Sequence, residues 1–311
     1  MRKVLSTVAP FAAAGGFRVE RTPAMWQLWF PSDMLEYVNR YATPGSPTSV
    51  LAAMDKAAET SWMMNMGTEK GKILEDLIAG RSAISPVTHV LELGTFCGYC
   101  TIRLARSLPA SATIVTVEKD EKTFDVARQI IGRAGLLEDP EFASYAQNAK
   151  ASGLAEHAKI NMYLGSSGDL LPELRRRYSA GFDFVLMDHW KELYDKDLQS
   201  LEKLRLVRKD SAVLADNIKI PGAPRYLEYL YHGKGYQTWR TSVIDVPFEY
   251  RPETPDAMTL SIWRGDSEQS PPPPPPREPC ASELSAMRSP TDRLICEAEL
   301  NSPNDGSAVG A

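Results

Sequence analysis

The sequence predicts an α/β fold in which helices cover both faces of a mostly parallel sheet. Short apolar runs alternate with helical patterns from about Tyr41 to Trp263, as βαβ units require. A glycine-bearing turn, 94–98, follows the first run, and two later runs end in the carboxylates Asp188 and Asp216. Ligands of such sheets bind outside the carboxyl ends of the strands. These turns therefore mark the expected site.

Five apolar runs are predicted as parallel strands, and two late runs as edge strands that complete a sheet of seven. In chain order the strands are His89–Leu93, Thr113–Glu118, Lys159–Leu164, Phe182–Asp188, Ser211–Asp216, Tyr236–Val246 and Met258–Trp263. The intervening helical patterns are Tyr99–Ser107, Glu121–Ala134, Asp169–Tyr178 and Leu198–Leu204, with Pro47–Ala58 and Gly71–Ala79 before the sheet. The glycine-leucine corner at 135–136 recurs at 153–154, so residues 137–152 are interpreted as an inserted helix or loop.

At 311 residues and 34.4 kDa, the chain can bury one large core with appendages. We predict an N-terminal extension at 1–40, a catalytic domain at 41–265 and a tail at 266–311. The first 14 residues are basic and then apolar, which is typical of a weak organelle or secretory targeting segment. Pro10 and the glycines at 15–16 interrupt that segment. A frayed terminus on a cytoplasmic protein is the preferred interpretation.

The tail contains a proline run from Pro271 to Pro276 and few aromatic residues. Such a composition cannot bury enough apolar surface to offset the entropy of ordering, so we predict disorder. Polyproline is also the ligand of SH3-type and WW-type domains, which are candidate partners. A solvated tail without a partner is the preferred interpretation.

Composition excludes several classes of protein. The hydrophobic fraction of 43% and charged fraction of 24% are ordinary for a globular chain. A net charge of −5 argues against a nucleic-acid binder, and four cysteines are too few for a disulfide framework. No apolar run approaches the ~20 residues of a membrane span. We expect a monomer that acts on a small molecule.

The segment from Glu92 to Gly98 reads E-x-G-x-x-x-G, in which Gly94 and Gly98 let the backbone approach a ligand closely. It is not the G-x-G-x-x-G that cradles a pyrophosphate. Glu118 ends the second strand, where an acid typically accepts hydrogen bonds from ribose hydroxyls. This combination favours a nucleoside without phosphates, such as S-adenosylmethionine. The alternative is a glycine turn that serves an unrelated ligand.

Cys97 and Cys100 form a C-x-x-C within this loop. A lone pair lacks the further ligands of a zinc site. The glycine context also explains the segment better than a redox role does, so both are interpreted as packing residues.

Asp188, Asp216 and Asn217 supply hard oxygen ligands at two strand ends, and such ligands suit Mg²⁺. Open coordination positions would accept the two oxygens of a vicinal diol and favour loss of a proton. Lys191 stands three residues after Asp188 and is the natural general base. Taken singly, each Asp could be a helix cap and Lys191 a solvated surface residue.

Several separated blocks resemble the catechol O-methyltransferases. They are Trp62–Lys72 (WMMNMGTEKGK), Leu91–Gly94, Cys97–Tyr99, Gly165–Ser167, Asp188–Lys191 (DHWK), Ala215–Asn217 (ADN) and Pro221–Pro224 (PGAP). The resemblance implies a Rossmann-like class I methyltransferase fold and Mg²⁺-dependent methyl transfer from S-adenosylmethionine to a catechol.

The resemblance also implies residue roles. Asp188, Asp216 and Asn217 would bind Mg²⁺, Lys191 would deprotonate the attacking hydroxyl, and Glu249 would hydrogen-bond the second one. The residues expected around the substrate are Trp62, Met64, Asp188, Trp190, Lys191, Asn217, Pro221 and Glu249. The residues expected around the cofactor are Met66, Gly94, Phe96, Cys100, Glu118, Ser167, Asp188, His189 and Trp190.

Three cofactor positions depart from the usual family residues: Phe96 replaces Tyr, Cys100 replaces Ser and Gly168 replaces Gln. Two alternatives remain open. One is a methyltransferase for larger vicinal-diol phenolics such as caffeoyl esters, although such enzymes usually lack the tryptophan pair. The other is a non-catalytic adenosyl-binding scaffold, which would have no need of the metal and base residues.

Overall fold

The computed structural model describes residues 30–61, 63–153 and 157–265. Trp62 lies outside the described residues, as do the N-terminal segment with the predicted targeting sequence and the tail with its proline run. Within the described part, seven strands form one sheet in the order β3-β2-β1-β4-β5-β7-β6. This result confirms the predicted α/β fold with a sheet of seven strands.

Five neighbouring strands are parallel, and the last two are antiparallel additions at one edge. The strands are β1 (His89–Leu93), β2 (Thr113–Glu118), β3 (Lys159–Leu164), β4 (Phe182–Met187), β5 (Val207–Ala215), β6 (Trp239–Phe248) and β7 (Arg251–Trp263). The chain starts in mid-sheet with β1, runs outward to β3 and returns with β4 beside β1. The order therefore reverses between β1 and β4, and this switch point is where doubly wound sheets bind their ligands.

Helices lie on both faces of the sheet. They are α1 (Pro31–Tyr41), α2 (Pro47–Thr60), α3 (Gly67–Ile84), α4 (Tyr99–Ser107), α5 (Glu121–Arg133), α6 (Ala143–Ala151), α7 (Ser167–Arg177), α8 (Tyr194–Lys203), α9 (Pro224–Tyr231) and the short α10 (Gly235–Thr238). The predicted insertion at 137–152 contains α6 and a preceding 3₁₀ turn, Pro140–Phe142. None of the helices in the described ranges is long and apolar enough to cross a membrane.

Two buried clusters of apolar side chains, one on each face, hold the sheet between the helices. Val90 and Leu91 are neighbours on β1, but one belongs to the first cluster and the other to the second, because successive side chains of a strand point to opposite faces. A strand buried on both faces reads as a continuous apolar run. This is why the central strands were recognisable in the sequence.

Some element bounds differ from the prediction. β7 begins at Arg251 rather than Met258, because its first half is mostly exposed and lacks an apolar run. α8 begins at Tyr194 rather than Leu198, and α3 extends from Gly67 to Ile84. β6 begins at Trp239 because the preceding residues form α10.

α1 packs against α2 and α5, although the sequence analysis assigned residues up to 40 to an extension. Met34, Tyr37 and Val38 are buried on one side of this helix. Their i, i+3, i+4 spacing is that of an apolar helical stripe. The core therefore includes residues that precede Tyr41.

Candidate active site

Asp188 and Asp216 leave adjacent parallel strands at the same edge of the sheet. Met187 and Ala215, the last residues of β4 and β5, are register partners. The Asp216 N–H donates to the Met187 carbonyl at 3.0 Å, and the Asp188 N–H donates to the Leu93 carbonyl at 2.9 Å. Burial, followed by repulsion from Asp188, raises the pKa of Asp216 to about 7. The two predicted metal ligands are therefore close enough to interact strongly.

Asn217, the third predicted ligand, has a left-handed backbone with φ 56° and ψ 41°, a conformation that asparagine tolerates better than most residues. Its N–H donates to Asp216 Oδ1 at 2.7 Å, and its side-chain Nδ2 donates to Glu249 Oε1 at 2.6 Å and to Asp256 Oδ2 at 3.0 Å. Because Nδ2 faces these carboxylates, the amide carbonyl oxygen of Asn217 remains available to a ligand.

Lys191 lies beside Asp188, as predicted. Its Nζ donates to Asp188 Oδ1 at 2.9 Å and to the Tyr194 hydroxyl at 2.8 Å. The Tyr194 hydroxyl in turn donates to the Met187 carbonyl at 2.6 Å, so the end of β4 fixes the tyrosine that holds the lysine. Tyr194 is fully buried, and the sequence analysis did not identify it.

Glu249 lies in the turn between β6 and β7 and is buried. Its Oε1 accepts hydrogen bonds from Asn217 and from Lys70 Nζ, the latter at 2.7 Å. Its Oε2, like Oδ2 of Asp216, is a buried atom without a hydrogen-bond partner among the described residues. Both oxygens are therefore free to receive a ligand.

Lys70 was missed by the sequence analysis although it lies at the centre of the acidic groups. Its Nζ is 2.7 Å from oxygens of Asp216, Glu249 and Asp256, and its side chain is 1% exposed. Burial opposes its charge, but Asp216 and Glu249 outweigh burial and hold the pKa of Lys70 above its ordinary value. The signal in the sequence was the spacing, since Lys70 falls on the buried face of α3 with Leu74.

Asp256 was also missed, and it ties this cluster to the loop after β5. Its Oδ2 accepts from Lys70 at 2.7 Å, while its Oδ1 accepts from the backbone N–H groups of Lys219 and Ile220 at 3.2 and 3.0 Å. Although burial opposes the effect, the hydrogen bond from Lys70 lowers the pKa of Asp256. Asp256 thus fixes the loop that carries Asn217.

The described residues contain one acidic group with metal-ligand spacing: oxygens of Asp216, Glu249 and Asp256 lie within 4.8 Å of one another. The Lys70 ammonium already binds all three residues, so their inner oxygens are occupied by a cation of the protein itself. The set that remains for a metal is the unpartnered Asp216 Oδ2 together with Asp188 and Asn217. This is the predicted set, and its hard oxygens fit Mg²⁺.

In the predicted cofactor loop, the backbone of Gly94 packs closely against that of Asp188. Gly94 has φ +100°, and a Cβ built on it would lie 2.5 Å from the Asp188 carbonyl oxygen. Glu118 accepts hydrogen bonds from the N–H groups of Phe96, Lys119 and Asp120 at 2.9, 2.9 and 3.0 Å. These three donors fix the Glu118 carboxylate beside the loop at the end of β2.

Ser167 and His189 meet at a residue that the sequence analysis missed. Asp197, buried on α8, accepts from the Ser167 hydroxyl at 2.6 Å, and its Oδ2 lies 2.7 Å from Nε2 of His189. Two of the three predicted adenine-side residues are therefore held by one carboxylate.

Met66 and Cys100 are buried and in contact, with 3.8 Å between their sulfur atoms. Cys97 and Cys100 are both free and buried, and burial raises the pKa of both thiols. They are therefore packing residues here, not thiolates for zinc or redox chemistry.

Three residues expected around the substrate are at the surface. Met64 is 59% and Trp190 is 69% exposed, and Pro221 is also exposed. Trp62, which is also expected around the substrate, is not among the described residues. A cavity of about 250 Å³ lies beside Glu249, between the start of α3 and the β6–β7 turn, and Met66, Lys70 and Phe248 contribute to its lining.

Comparison with known proteins gives consistent results. A family model described as O-methyltransferase matches residues 49–146. Catechol O-methyltransferase B of Danio rerio is 37% identical over 210 residues, which are 67% of this chain and 70% of that protein. Catechol O-methyltransferase of Mus musculus is 34% identical over 234 residues, which are 75% and 78% of the respective chains.

A solved structure supports the fold independently. The O-methyltransferase TomG from Streptomyces achromogenes, crystallised with SAM, has a TM-score of 0.51 and 24% identity. The match covers 70% of this chain and 90% of that one.

Proposed function

Because this chain belongs to the catechol O-methyltransferase family, we propose that it transfers the methyl group of S-adenosylmethionine to one hydroxyl of a catechol in the presence of Mg²⁺. The observation that carries this proposal is the meeting of Asp188 and Lys191 with Asp216, Asn217 and Glu249 at one edge of the sheet. These residues come from two strand ends and a distant turn, and a fold without this chemistry would not require them together.

Asp188, Asp216 and Asn217 would hold the Mg²⁺. The buried, unpartnered Oδ2 of Asp216 supports this assignment, because a buried polar atom normally has a partner. When bound, the ion supplies a Lewis acid that favours the ionised form of a catechol hydroxyl.

Lys191 takes the proton from the reacting hydroxyl at Nζ. Since Nζ lies 2.9 Å from Asp188 Oδ1, a hydroxyl bound beside Asp188 is within hydrogen-bond reach. Tyr194 keeps the amine in place through its 2.8 Å hydrogen bond. The catechol oxygen forms the new bond to carbon as the carbon–sulfur bond breaks, and the electron pair passes to sulfur to leave S-adenosylhomocysteine. The protein thus contributes mainly position and charge.

Glu249 orients the second hydroxyl. Its Oε1 is occupied by Lys70 and Asn217, so Oε2 is the oxygen that accepts from the substrate. Trp62, Trp190 and Pro221 would enclose the catechol ring, with Met64 near the transferred methyl group.

The cofactor would lie along the carboxyl ends of β1, β2 and β4. Glu118 would accept hydrogen bonds from the ribose, while Ser167, His189 and Trp190 would flank the adenine. Met66, Gly94, Phe96 and Cys100 would surround the methionine part. The Glu118 carboxylate fixed beside the loop and the paired Ser167 and His189 support this placement.

The test is methyl transfer from methyl-labelled S-adenosylmethionine to catechol, with Mg²⁺ and with a chelator. We expect Mg²⁺-dependent monomethyl catechol, with chelation abolishing turnover and sparing cofactor binding measured by calorimetry. Lys191→Ala should lower kcat by roughly 10²–10⁴-fold, the usual contribution of a general base. Lys196→Ala, an exposed lysine on α8, is the matched control. Turnover that persists in chelator, or that is confined to caffeoyl esters, would contradict the proposal.

We also propose that the protein is a cytoplasmic monomer and that Pro271–Pro276 binds an SH3-type or WW-type domain. The free cysteines support a reducing compartment. Light scattering of the full chain tests the monomer. A pull-down of isolated SH3 and WW domains, with the proline run replaced by Gly-Ser as control, tests the partner.

A further inference from the structure

The ammonium group of Lys70 is surrounded by three carboxylates. General acid–base catalysis does not explain this arrangement. We propose that Lys70 is a positioning residue that binds one oxygen of Asp216 and one of Glu249, and thereby presents the other oxygen of each to the ligands of the site. This inference deepens the proposed function and rests on it.

The geometry divides each carboxylate into an inner and an outer oxygen. The inner oxygen of Asp216, Oδ1, accepts from Lys70 Nζ and from the Asn217 N–H, both at 2.7 Å. The inner oxygen of Glu249, Oε1, accepts from Lys70 Nζ at 2.7 Å and from Asn217 Nδ2 at 2.6 Å. The outer oxygens, Asp216 Oδ2 and Glu249 Oε2, are buried without a partner among the described residues. Lys70 therefore binds the inner oxygen of both carboxylates.

Lys70 has no alternative partner in solvent. Its side chain is 1% exposed because the buried face of α3 includes this position together with Gly67, Gly71 and Leu74. An ammonium group has three donors, and Asp216, Glu249 and Asp256 use all three. The lysine therefore acts as a fixed internal cation, and no proton donor is left for the substrate.

The charge count explains why an internal cation is needed. Four carboxylates, those of Asp188, Asp216, Glu249 and Asp256, share this region with two amines, those of Lys70 and Lys191. With all six groups ionised the net charge is −2, and with Lys191 as the neutral amine that acts as base it is −3. Without Lys70 each count would be one unit more negative, and buried carboxylates would lose their partner.

The decisive comparison is between Asp256→Asn and the double variant Lys70→Met/Asp256→Asn. Asp256→Asn keeps Lys70 bound to Asp216 and Glu249, whereas the double variant removes the lysine together with one carboxylate and so keeps the charge balance. Lys70→Met alone would leave the buried carboxylates without their cation, whereas the double variant has the net charge of the unsubstituted protein and avoids that problem. Lys72→Met, two residues along the same helix and exposed, is the control for substitution on α3.

Three quantities are measured on each full-length protein: the melting temperature, the Mg²⁺ dissociation constant by calorimetry without cofactor or catechol, and kcat and KM for catechol. We expect the double variant to melt within a few degrees of Asp256→Asn. Relative to Asp256→Asn, its Mg²⁺ affinity or its kcat should fall at least tenfold. Lys72→Met should match the unsubstituted protein.

If the folded double variant retains both Mg²⁺ affinity and kcat within tenfold of Asp256→Asn, Lys70 only neutralises charge and the proposal is wrong. A double variant that does not fold while Asp256→Asn does would also overturn it, because Lys70 would then be a structural residue. Absence of methyl transfer by the unsubstituted protein would refute the proposed function instead. The Mg²⁺ titration distinguishes the two failures because it needs no turnover.

Discussion

Glu92 gives the sharpest quantitative prediction. It lies on β1 beneath the cofactor loop and is fully buried. Its Oε2 accepts from the Thr101 hydroxyl at 2.5 Å, and its Oε1 has no partner among the described residues. Burial raises the pKa of Glu92 from its ordinary 4.5 to about 8. At neutral pH the folded protein therefore holds a proton on this carboxyl that the unfolded chain has released.

The sign of the pH effect follows from this difference. Below pH 4.5 both states are protonated and the group has no effect on folding. Between pH 4.5 and about 8 only the unfolded chain ionises, so the free energy of unfolding falls by about 1.4 kcal/mol per pH unit. Over the whole interval the loss is about 5 kcal/mol. Glu92→Gln keeps the shape of the side chain and removes the titration, so the variant escapes this loss.

The assay is urea unfolding of Glu92→Gln and of the unsubstituted protein at two pH values about two units apart, near pH 5.5 and near pH 7.5. Taking the difference between the two proteins cancels every other titrating group. We expect the variant to gain about 3 kcal/mol relative to the unsubstituted protein between these pH values. Glu228→Gln, an exposed acid on α9, should show no such gain. A difference that does not change with pH would refute the reasoning.

Three further substitutions test the site. Gly94→Ala would place a Cβ 2.5 Å from the Asp188 carbonyl at φ +100°, whereas Gly153→Ala, at φ +82°, would meet nothing within 4 Å. In urea unfolding Gly153→Ala should be destabilised by roughly 1–3 kcal/mol from backbone strain alone, and Gly94→Ala by more because of the added clash. Only Gly94→Ala should also weaken cofactor binding in calorimetry. Tyr194→Phe removes the hydroxyl between Lys191 and the Met187 carbonyl. We expect kcat to fall about tenfold and the free energy of unfolding by about 1–2 kcal/mol, with cofactor affinity unchanged. An unaltered kcat would exclude a role of Tyr194 in holding the base. Asp197→Ala leaves Ser167 and His189 without their common partner. The cofactor dissociation constant should therefore rise about tenfold, while kcat at saturating cofactor stays within about twofold. A loss of kcat with unchanged cofactor affinity would contradict this assignment.

The sequence predicted the central sheet well because its strands are buried on both faces. β1 and β2, which are mostly buried, have the predicted bounds, and so does the half-buried edge strand β3. The prediction was poorer where burial is one-sided. The first half of β7 is mostly exposed, so it has no apolar run, and α1 was overlooked because its buried stripe of Met34, Tyr37 and Val38 is short.

The site residues likewise divide into those that the sequence predicted and those that it did not. Asp188, Lys191, Asp216 and Asn217 were predictable because each stands within a few residues of a buried strand end, where the fold class itself places ligands. Glu249 was predicted only from the family resemblance, because its position depends on the turn between β6 and β7, the two strands added at the side of the parallel sheet. Tyr194 and Asp197 were missed because the start of α8 was placed four residues too late.

Lys70 and Asp256 show what kind of signal remained in the sequence. They are 186 residues apart, and no local pattern could pair them. Each nevertheless breaks a local rule: Lys70 occupies the buried face of α3, and Asp256 is the first buried residue of β7. A lysine is rarely fully buried without a partner, so a lysine in an apolar helical stripe requires a buried acid elsewhere in the chain. In a parallel sheet with acids at its strand ends, the need for a buried acid places the lysine-bearing helix beside those acids. A charged residue at a core position is therefore evidence for where the functional residues meet.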